Sequence, residues 1–313
     1  MEKVSYLGQP NCYRLSNGTV ELIATTDIGP RLIRYAFLAG ENIFAELPDL
    51  TQETELGRWK PWGGHRLWAA PEAMPRSYSI DNDPIQFDIK DENAIRLVQP
   101  AGTKTAGLEK ELAVTLDKQG TGVSVHHKIT NRNVWGIDLA PWALTIMNGG
   151  GVAILPQEPY RSHDAYLLPA RPLVLWHFTN LADPRLRLGE KYIWIHSDPN
   201  NAGPQKIGIA NKQGWASYVH NDTIFVKRFA YLEGAHYPDY GSNNEVYTAG
   251  SFMEIESLGP MCHLEPGEST NHAERWELFR TERRGAEAGP DIDAITRQSG
   301  ALPAPGSSAG YGI

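Results

Sequence analysis

Residues 12–25 read CYRLSNGTVELIAT, and this stretch contains the pattern that recurs through most of the chain. Asn17-Gly18 lies between two runs in which apolar and polar residues alternate. An Asn-Gly pair in this setting is the strongest short signal for a β-hairpin, because both residues readily adopt the positive φ of a two-residue turn. The stretch therefore predicts two antiparallel strands, at residues 12–16 and 19–25.

Further alternating runs follow, each separated from the next by turn residues. These turns lie at residues 91–93, 118–120, 148–151, 211–214, 221–222 and 265–268. They divide the chain into roughly fourteen or more short strands, spaced about ten to fifteen residues apart, which is typical of all-β folds. Only residues 287–298 indicate a short helix. The pattern predicts an all-β fold, a large antiparallel β-sandwich.

The composition agrees with this prediction and excludes several classes of protein. The 30 glycines and 22 prolines are about 17% of the 313 residues, above an average of about 12%, and favour many turns. An apolar content of 41% excludes a disordered chain. The net charge of −8, without any Lys/Arg run, argues against nucleic acid as a partner.

The expected compartment is the cytoplasm. The longest nearly apolar run, residues 139–147, is well short of the ~20 residues that a membrane span needs, so no membrane partner is expected. Residues 1–6 carry two charges and do not resemble a secretory signal. Cys12 and Cys262 are far apart and lack CxxC spacing, which favours free thiols in a reducing compartment.

Sequence motifs for cofactors are missing from the chain. There is no GxGxxG, Walker, HExxH, zinc-ligand or EF-hand spacing, so neither a cofactor nor a metal ion is expected. Apolar periodicity stops after Arg280, where Gly, Ala, Pro and Ser become frequent. We therefore predict one domain at residues 1–283 and a C-terminal tail at residues 284–313, either draped on the surface or disordered.

The first candidate site segment is residues 59–72, WKPWGGHRLWAAPE. It combines Trp62 and Trp68 with His65 and Arg66. Aromatic rings can stack on the C–H face of a sugar ring, while cationic and imidazole groups hydrogen-bond to its hydroxyls. The alternative is a tryptophan cluster in the core with a hydrogen-bonded structural histidine.

The second segment is residues 237–260, YPDYGSNNEVYTAGSFMEIESLGP. Strand alternation places Glu254 and Glu256 on one face, about 7 Å apart at Cα. A partly buried Glu has a raised pKa and can exchange protons near neutrality; the alternative is an exposed polar face or an ion pair with Arg. Tyr237 is a candidate to stack on a sugar, and Glu245 is either a ligand contact or a loop residue.

The third segment is residues 159–180, PYRSHDAYLLPARPLVLWHFTN, in a long irregular connection. His163 is adjacent to Asp164 and is a candidate proton donor. Trp176, further along, is a candidate to stack on a sugar. The alternative is that both are ordinary loop residues.

These segments, in this order, resemble the galactose mutarotase-like superfamily, which contains the aldose 1-epimerases, and more closely an uncharacterised bacterial branch of it. The resemblance covers roughly residues 4–282. It is carried by VELIATTDIGPRLIRYAF (20–37), GGHRLWAAPE (63–72), ITNRNVWGIDLAPWALT (129–145), YGSNNEVYTAGSFMEIESLGP (240–260) and LEPGESTNHAERWEL (264–278).

The resemblance implies a β-supersandwich with a sugar cleft on a sheet face. In such enzymes a Glu takes the proton from the anomeric hydroxyl, a His protonates the ring oxygen, and an Arg and a second His bind the sugar. The Glu precedes an L-x-P-G-E turn, which is residues 264–268 here, so the resemblance assigns the role of base to Glu256 rather than Glu254. It also places His65 and Arg66 near the sugar-binding His and Arg.

The chain departs from the family at the acid. In the family the acid His follows a Thr-Asn pair, but here Thr130-Asn131 leads to Trp142, whose indole cannot supply a proton at neutral pH. His65 and His163 are therefore the candidate acids, unless the reaction differs or there is none.

The function predicted is that of a carbohydrate-active protein. It is most simply an epimerase-type isomerase acting on a sugar or sugar derivative, with a small carbohydrate or oligosaccharide as its ligand. One alternative is a glycoside hydrolase or lyase that uses Glu245 and Glu256 as its pair of carboxylates. The other is a non-catalytic carbohydrate-binding protein.

Overall fold

The structure is a computed structural model, which describes residues 1–298. Half of the residues lie in strands and 7% in helices, which confirms the all-β prediction. The strands are β1 (Glu2–Tyr6), β2 (Gln9–Ser16), β3 (Val20–Thr25), β4 (Arg31–Phe37), β5 (Glu46–Leu47), β6 (Gln52–Thr54), β7 (Gly57–Trp59), β8 (Trp62–Ala70), β9 (Gln86–Asp91), β10 (Ala94–Gln99), β11 (Leu108–Leu116), β12 (Val123–Asn131), β13 (Ile137–Asn148), β14 (Val152–Pro156), β15 (Leu173–Leu175), β16 (Leu186–Leu188), β17 (Tyr192–His196), β18 (Gln205–Ile209), β19 (Trp215–His220), β20 (Thr223–Phe229), β21 (Asn244–Ala249), β22 (Phe252–Leu258), β23 (Cys262–Leu264) and β24 (Ser269–Arg280).

The strands form two large antiparallel sheets and one small one. The large sheet of twelve strands has the order β1-β2-β3-β4-β8-β13-β22-β21-β18-β15, with β23 beside β13 and β5 beside β8. The sheet of ten strands has the order β16-β17-β14-β19-β20-β24-β12-β11-β10-β9, and β6 pairs with β7. The hairpin predicted around Asn17-Gly18 is confirmed, because β2 and β3 pair antiparallel on either side of it.

The main core lies between the two large sheets. Side chains alternate along a strand, so the central strands of the twelve-stranded sheet have one face toward this core and one away from it. Met253 and Ile255 of β22 belong to the core, together with Val125 of the ten-stranded sheet. Trp68 and Trp142 instead belong to a second apolar cluster on the face turned away from the core, which we call the outer face.

The helices are few and short. The α-helices are α1 (Pro238–Gly241) and α2 (Gly289–Gln298), and 3₁₀ turns lie at Thr103–Thr105 and Gly285–Ala288. The short helix expected at residues 287–298 is therefore present. Ala288 and Ile292 are buried against Val152 and Trp215 of the ten-stranded sheet. The domain boundary between residues 283 and 284 stays a prediction, and the tail residues 299–313 lie outside the described part of the chain.

Two findings bear on the predicted compartment. Cys12 and Cys262 are both free thiols. Among the described residues, no helix is long and apolar enough to cross a membrane.

Candidate functional site

Charged side chains form one row across the outer face of the twelve-stranded sheet. Arg66 on β8 is directly opposite Leu144 on β13, which is opposite Glu256 on β22. Glu256 is in turn opposite Glu245 on β21. Neighbouring strands lie about 4.8 Å apart, so the row spans roughly 14 Å from Arg66 to Glu245 at Cα. We call Arg66, Glu256 and Glu245 the polar row.

Glu256 is fully buried and held by two donors. Its Oε2 accepts a hydrogen bond from Trp142 Nε1 at 2.7 Å and another from Lys206 Nζ at 3.1 Å. Trp142 occupies the place where the resemblance would put the acid histidine, and it orients the proposed base instead. Two donors suit an ionised carboxylate, which accepts but does not donate.

Lys206 connects the two carboxylates of the polar row. Its ammonium lies 2.8 Å from Glu245 Oε2 and above the rings of Trp142 and Trp176, at 4.7 and 4.6 Å. Directly opposite carboxylates repel each other, and the cation between them offsets that repulsion. Burial alone would lower the pKa of Lys206, but Glu256 and Glu245 raise it above its ordinary value. Lys206 therefore stays protonated and is a poor proton donor.

The two other acidic groups on this face have raised pKa values. Burial raises the pKa of Glu245 well above its ordinary value, against the opposing effect of Lys206. Glu254 is half-buried and shares the outer face with Glu256. Burial, and then the charge of Glu256, raise the pKa of Glu254 to about 7, although Arg66 and Lys206 act in the opposite direction.

Arg66 forms the other end of the polar row. Its guanidinium packs over the indoles of Trp59 and Trp68, at 4.6 and 4.3 Å from the ring centroids. The side chain is 2% exposed, and it forms no hydrogen bond or ion pair with any described residue. Burial, and then the charge of Arg31, lower the pKa of Arg66 to about 10, so the group stays protonated at neutral pH.

Five buried polar atoms at this row have neither a hydrogen-bond partner nor an ion-pair partner among residues 1–298. At one end these are donors; at the other end they are acceptors. They are Trp59 Nε1, Arg66 Nε and Nη1, Glu245 Oε1 and Glu256 Oε1. Buried polar groups are nearly always paired, so the arrangement fits a polar ligand that both accepts and donates hydrogen bonds. Sugar hydroxyls do both.

His65 lies on the opposite side of β8 from this row, which corrects the prediction that it shares a surface with Glu256. It follows the strand alternation: Arg66 points outward, so its neighbour His65 points into the core. His65 is fully buried, with Nε2 2.7 Å from His127 Nε2 and Nδ1 2.9 Å from Thr145 Oγ1. The role of proton donor beside Glu256 is therefore not assigned to His65, which matches the alternative of a hydrogen-bonded structural histidine.

The geometry fixes how these histidines are protonated. His127 Nδ1 donates to the backbone carbonyl of His272 at 3.0 Å, so His127 Nε2 accepts from His65 Nε2, and the Thr145 hydroxyl donates to His65 Nδ1. Burial is the main cause that lowers the pKa of His65 well below its ordinary value and the pKa of His127 to about 3. Both imidazoles are neutral at pH 7.

A buried ion pair continues this network. Lys227 Nζ lies 2.8 Å from Glu274 Oε1 and donates to the backbone carbonyls of Ala143 and Ile255, at 3.3 and 3.0 Å. Glu274 also accepts from Trp276 Nε1 at 2.8 Å. All three ammonium protons are used. We call the buried set that contains these groups and the three histidines His65, His127 and His272 the core network.

The core network contains the group that comes nearest to a metal site. Ligand atoms of His65, His127 and Glu274 lie within 4.8 Å of one another. However, two nitrogens bound tetrahedrally to zinc at ~2.0–2.1 Å would be roughly 3.3 Å apart, whereas those of His65 and His127 are at the hydrogen-bond distance of 2.7 Å. Glu274 is also already paired with Lys227. The geometry is that of a hydrogen-bonded network.

We predict that acid destabilises the fold through this core network. The unfolded histidines take up protons below pH about 6.5, but the folded pKa values of His127 and His272 are about 3 and 4, mainly because of burial. The unfolded state then binds more protons, so the free energy of unfolding falls between pH 6.5 and 4, by about 1.4 kcal/mol per pH unit for each such histidine. Urea unfolding at pH 7, 6 and 5 measures this slope.

His127→Gln should reduce the slope of unfolding free energy against pH by the contribution of one histidine, about 1.4 kcal/mol per pH unit, because the variant has one fewer group to protonate on unfolding. His163 is 88% exposed, far from the core network, so His163→Gln serves as the matched control and should leave the slope unchanged. An unfolding free energy that is constant from pH 7 to 5 in the wild type contradicts the prediction.

Of the other residues that the sequence predicted for the site, Trp176 lies at the polar row, whereas Trp62, Tyr237 and His163 lie elsewhere. Trp176 lies at the row, above Lys206. Trp62 packs in a separate apolar cluster near the N-terminal strands, and Tyr237 stacks on Tyr231. The side chain of His163 is 88% exposed and its ion-pair partner is Asp164, at 3.5 Å. Within the described residues, no hydrogen bond, ion pair or ring contact joins these three to the polar row.

Sequence reasoning did not single out Lys206. It is an outward-facing residue in a predicted strand, which is where an exposed lysine is ordinarily found. Its proximity to Glu245 and Glu256 arises because β18 pairs with β21, and β21 with β22. Trp59 is the first residue of the candidate segment 59–72, but the sequence alone assigns it no role.

The comparisons with known proteins bear on the fold. No family model matches the chain, and no curated protein matches it. Solved structures do: a galactose mutarotase-like protein from Lactobacillus casei is 14% identical, with a TM-score of 0.50, and covers 86% of this chain and 100% of its own. A protein from Escherichia coli K12, provisionally named an aldose 1-epimerase, is 11% identical, with a TM-score of 0.54, covering 87% and 99%.

A third solved structure, the Slr1438 protein of Synechocystis, is 12% identical with a TM-score of 0.53, and covers 90% of this chain and 100% of its own. The class of fold is therefore the galactose mutarotase-like β-sandwich, as the sequence resemblance implied. At these identities the likeness shows the fold and leaves the activity to the site.

Proposed function

We propose that the chain binds a sugar or sugar derivative at the polar row and interconverts its anomers, as an epimerase-type isomerase. The observation that carries this proposal is the set of five unpartnered buried polar atoms, with donors near Arg66 and acceptors at Glu256 and Glu245. A polyhydroxyl ligand can satisfy both kinds of atom. The names of the two fold neighbours, galactose mutarotase-like and aldose 1-epimerase, support the same class of substrate.

In this proposal Arg66 binds sugar oxygens. The indoles of Trp59 and Trp68 contact each other and both pack against its guanidinium, which limits how its free N–H groups can turn. Trp68 is nearly fully buried and supports Arg66 rather than offering a face to the sugar. Half-exposed rings at the edge of the site, those of Trp176 and Tyr247, are the surfaces on which a sugar can stack.

Glu256 is the proposed general base. Its Oε1 is free while Trp142 and Lys206 hold Oε2, so the side chain presents one fixed, unpaired oxygen to the anomeric hydroxyl. Proton transfer to a positioned carboxylate typically contributes 10²–10⁴ in rate. Opening the ring also requires a proton at the ring oxygen, which a second group must supply.

The glycoside hydrolase or lyase alternative fits the site less well. Paired carboxylates in such enzymes flank the scissile bond, whereas Glu245 and Glu256 both contact the ammonium of Lys206. A non-catalytic carbohydrate-binding protein is the second candidate. It is favoured by one observation, that His65 points into the core and away from Glu256. The cytoplasm remains the proposed compartment, which the two free thiols support.

We expect the wild type to bind at least one of galactose, glucose, their 6-phosphates and galacturonic acid. A sugar at 100 times its Kd should raise the free energy of unfolding by about 2.7 kcal/mol, measured as a thermal shift. Arg66→Met should weaken that binding at least tenfold by isothermal titration calorimetry, because it removes the free donors while keeping an apolar side chain packed against the two indoles.

The matched control is Arg132→Met, since Arg132 is a surface residue paired with Glu109. It should leave the affinity unchanged. A wild type that binds none of these sugars rejects the proposed function, and an Arg66→Met variant with unchanged affinity removes Arg66 from the site.

A further inference from the structure

The proposed isomerisation needs an acid on the outer face, and the following inference rests on that proposed function. The candidates are the titratable groups around the polar row. Lys206 and Arg66 stay protonated at neutral pH, for the reasons given above. Glu245 is fully buried and is paired with Lys206. Tyr247 lies opposite Glu254 on β21, but burial raises the pKa of its hydroxyl above its ordinary value, which makes it a poor proton donor near neutrality. Among the titratable groups on the described strands of this face, that leaves Glu254.

Glu254 has the geometry that an acid beside Glu256 requires. The two residues share one strand face and lie about 7 Å apart at Cα. The anomeric oxygen and the ring oxygen of a sugar are bonded to the same carbon, so base and acid must each come within about 2.6–3.2 Å of two neighbouring atoms. Two carboxyl groups on adjacent outward positions of one strand can meet this requirement.

Glu254 is also unrestrained and accessible. Its carboxyl group forms no hydrogen bond or ion pair with any residue from 1 to 298, whereas the Oε2 of Glu256 is held by Trp142 and Lys206. Glu254 is half-buried, at the boundary between the buried row and solvent. It can therefore turn toward a bound sugar and exchange its proton with water between turnovers.

Charged and titratable groups face Glu254 from several elements. These are Arg66 on β8, Glu72 and Tyr78 in the segment after β8, Lys206 on β18, Tyr247 on β21, and Glu256 on its own strand. On β13 the residue opposite is Ile146, which carries no charge. The Tyr78 hydroxyl donates to Glu72 at 2.7 Å and is engaged there.

The two carboxyl groups of β22, those of Glu254 and Glu256, have different surroundings. Burial and Glu256 raise the pKa of Glu254 to about 7. A carboxyl group of this kind holds a proton for part of the time at neutral pH. Pairs of carboxyls in different environments are the usual means by which one site supplies both an acid and a base.

We infer that Glu254 is the general acid of the proposed reaction, in the role that no histidine fills on this face. Glu256 takes the proton from the anomeric hydroxyl, the C1–O1 bond becomes a carbonyl, and the electron pair of the C1–O5 bond moves to O5. Glu254 gives its proton to O5. After rotation about C1–C2, O5 attacks the other face of C1, Glu254 takes back its proton, and Glu256 returns its proton to O1. No other reactant is consumed.

The experiment compares wild type, Glu254→Gln and a control, Glu92→Gln, which lies in an exposed turn. Affinity is measured by calorimetry, and the rate of anomer interconversion by ¹H NMR, for α-D-galactose, α-D-glucose, their 6-phosphates and α-D-galacturonic acid, from pH 5 to 9. We expect Glu254→Gln to lower kcat by 10²–10⁴, while Kd changes less than threefold. Glu92→Gln should match the wild type.

The pH profile distinguishes an acid from a merely structural carboxyl. The acid acts in its protonated form, so wild-type kcat should fall as pH rises through the pKa of Glu254, near 7. The residual activity of Glu254→Gln should lack this decline. If the glutamine variant does not fold, Glu254→Asp should keep the decline and lose rate through its shorter reach.

The outcomes separate the two proposals. A Glu254→Gln variant with wild-type kcat and the same decline above pH 7 overturns the inference and leaves the proposed function in place. A wild type that binds one of these sugars without interconverting its anomers overturns the inference and the isomerase activity, in favour of the binding protein. A wild type that neither binds nor interconverts any of them overturns both proposals.

Discussion

Glu256→Gln is expected to lower kcat for anomer interconversion at least a hundredfold, which corresponds to about 2.7 kcal/mol of activation free energy. The amide keeps the shape of the side chain and still accepts the hydrogen bond from Trp142. What it loses is the basicity of the free oxygen that faces the sugar. Lys206 keeps its ion pair with Glu245, so the site should retain its structure.

Kinetic and binding measurements must be made together on this variant. The affinity for the sugar should change far less than kcat, because the proton moves only in the transition state. The comparison requires variants with matched melting temperatures, so that unfolding does not resemble lost catalysis. Wild-type kcat in Glu256→Gln would reject acid–base catalysis and favour the non-catalytic carbohydrate-binding protein.

Lys227→Met is expected to destabilise the fold by about 3–5 kcal/mol. Lys227 is fully buried and is the cation beside the Glu274 carboxylate in the core network. Burial alone would raise the pKa of Glu274, and Lys227 is the largest of the charges that lower it instead. Without the ammonium, a charge is left uncompensated in the core, and the carbonyls of Ala143 and Ile255 lose their shared donor.

Chemical denaturation measures this loss against two further variants. Lys212→Met removes an exposed lysine paired with Glu233 and should leave stability nearly unchanged, because solvent screens such surface pairs. The double variant Lys227→Met/Glu274→Leu removes both charges and should recover part of the loss, because no unpaired charge remains. If Lys227→Met is as stable as Lys212→Met, Lys227 does not neutralise a charge in the core.

Some of the site followed from local rules in the sequence. Alternation put Glu254 and Glu256 on one face, and the structure agrees that these two share a face. The choice of Glu256 over Glu254 came from the family resemblance, in which the base precedes the turn at residues 264–268. The hairpin at Asn17-Gly18 was predictable from local rules too, since turn residues and alternation act over a few positions. These features depend on neighbours in the chain.

Other parts depend on pairings between distant strands. Alternation establishes that His65 and Arg66 point in opposite directions, but not which one points inward. All nine residues of β8 are buried, so its two faces look equally apolar in the sequence. Lys206 approaches Glu256 only because β21 lies between β18 and β22. Nothing in residues 207–255, which separate Lys206 from Glu256 in the sequence, specifies that order of strands.

The side chains of the site come from two kinds of element. In interior strands the sequence is hard to change without loss of the fold, whereas in a long connection it is easy to change. Arg66, Glu254 and Glu256 come from interior strands. The residues beside them in the sequence point inward: His65 belongs to the core network, and the carbonyl of Ile255 accepts a hydrogen bond from Lys227. Insertion of one residue there would exchange the inward and outward sets, and would damage reactivity and folding together. Trp176 instead follows the short edge strand β15, in a long connection. Under the proposed function, changes in that loop would alter which sugar binds, while the carboxyl groups of Glu254 and Glu256 would keep their places in the sheet.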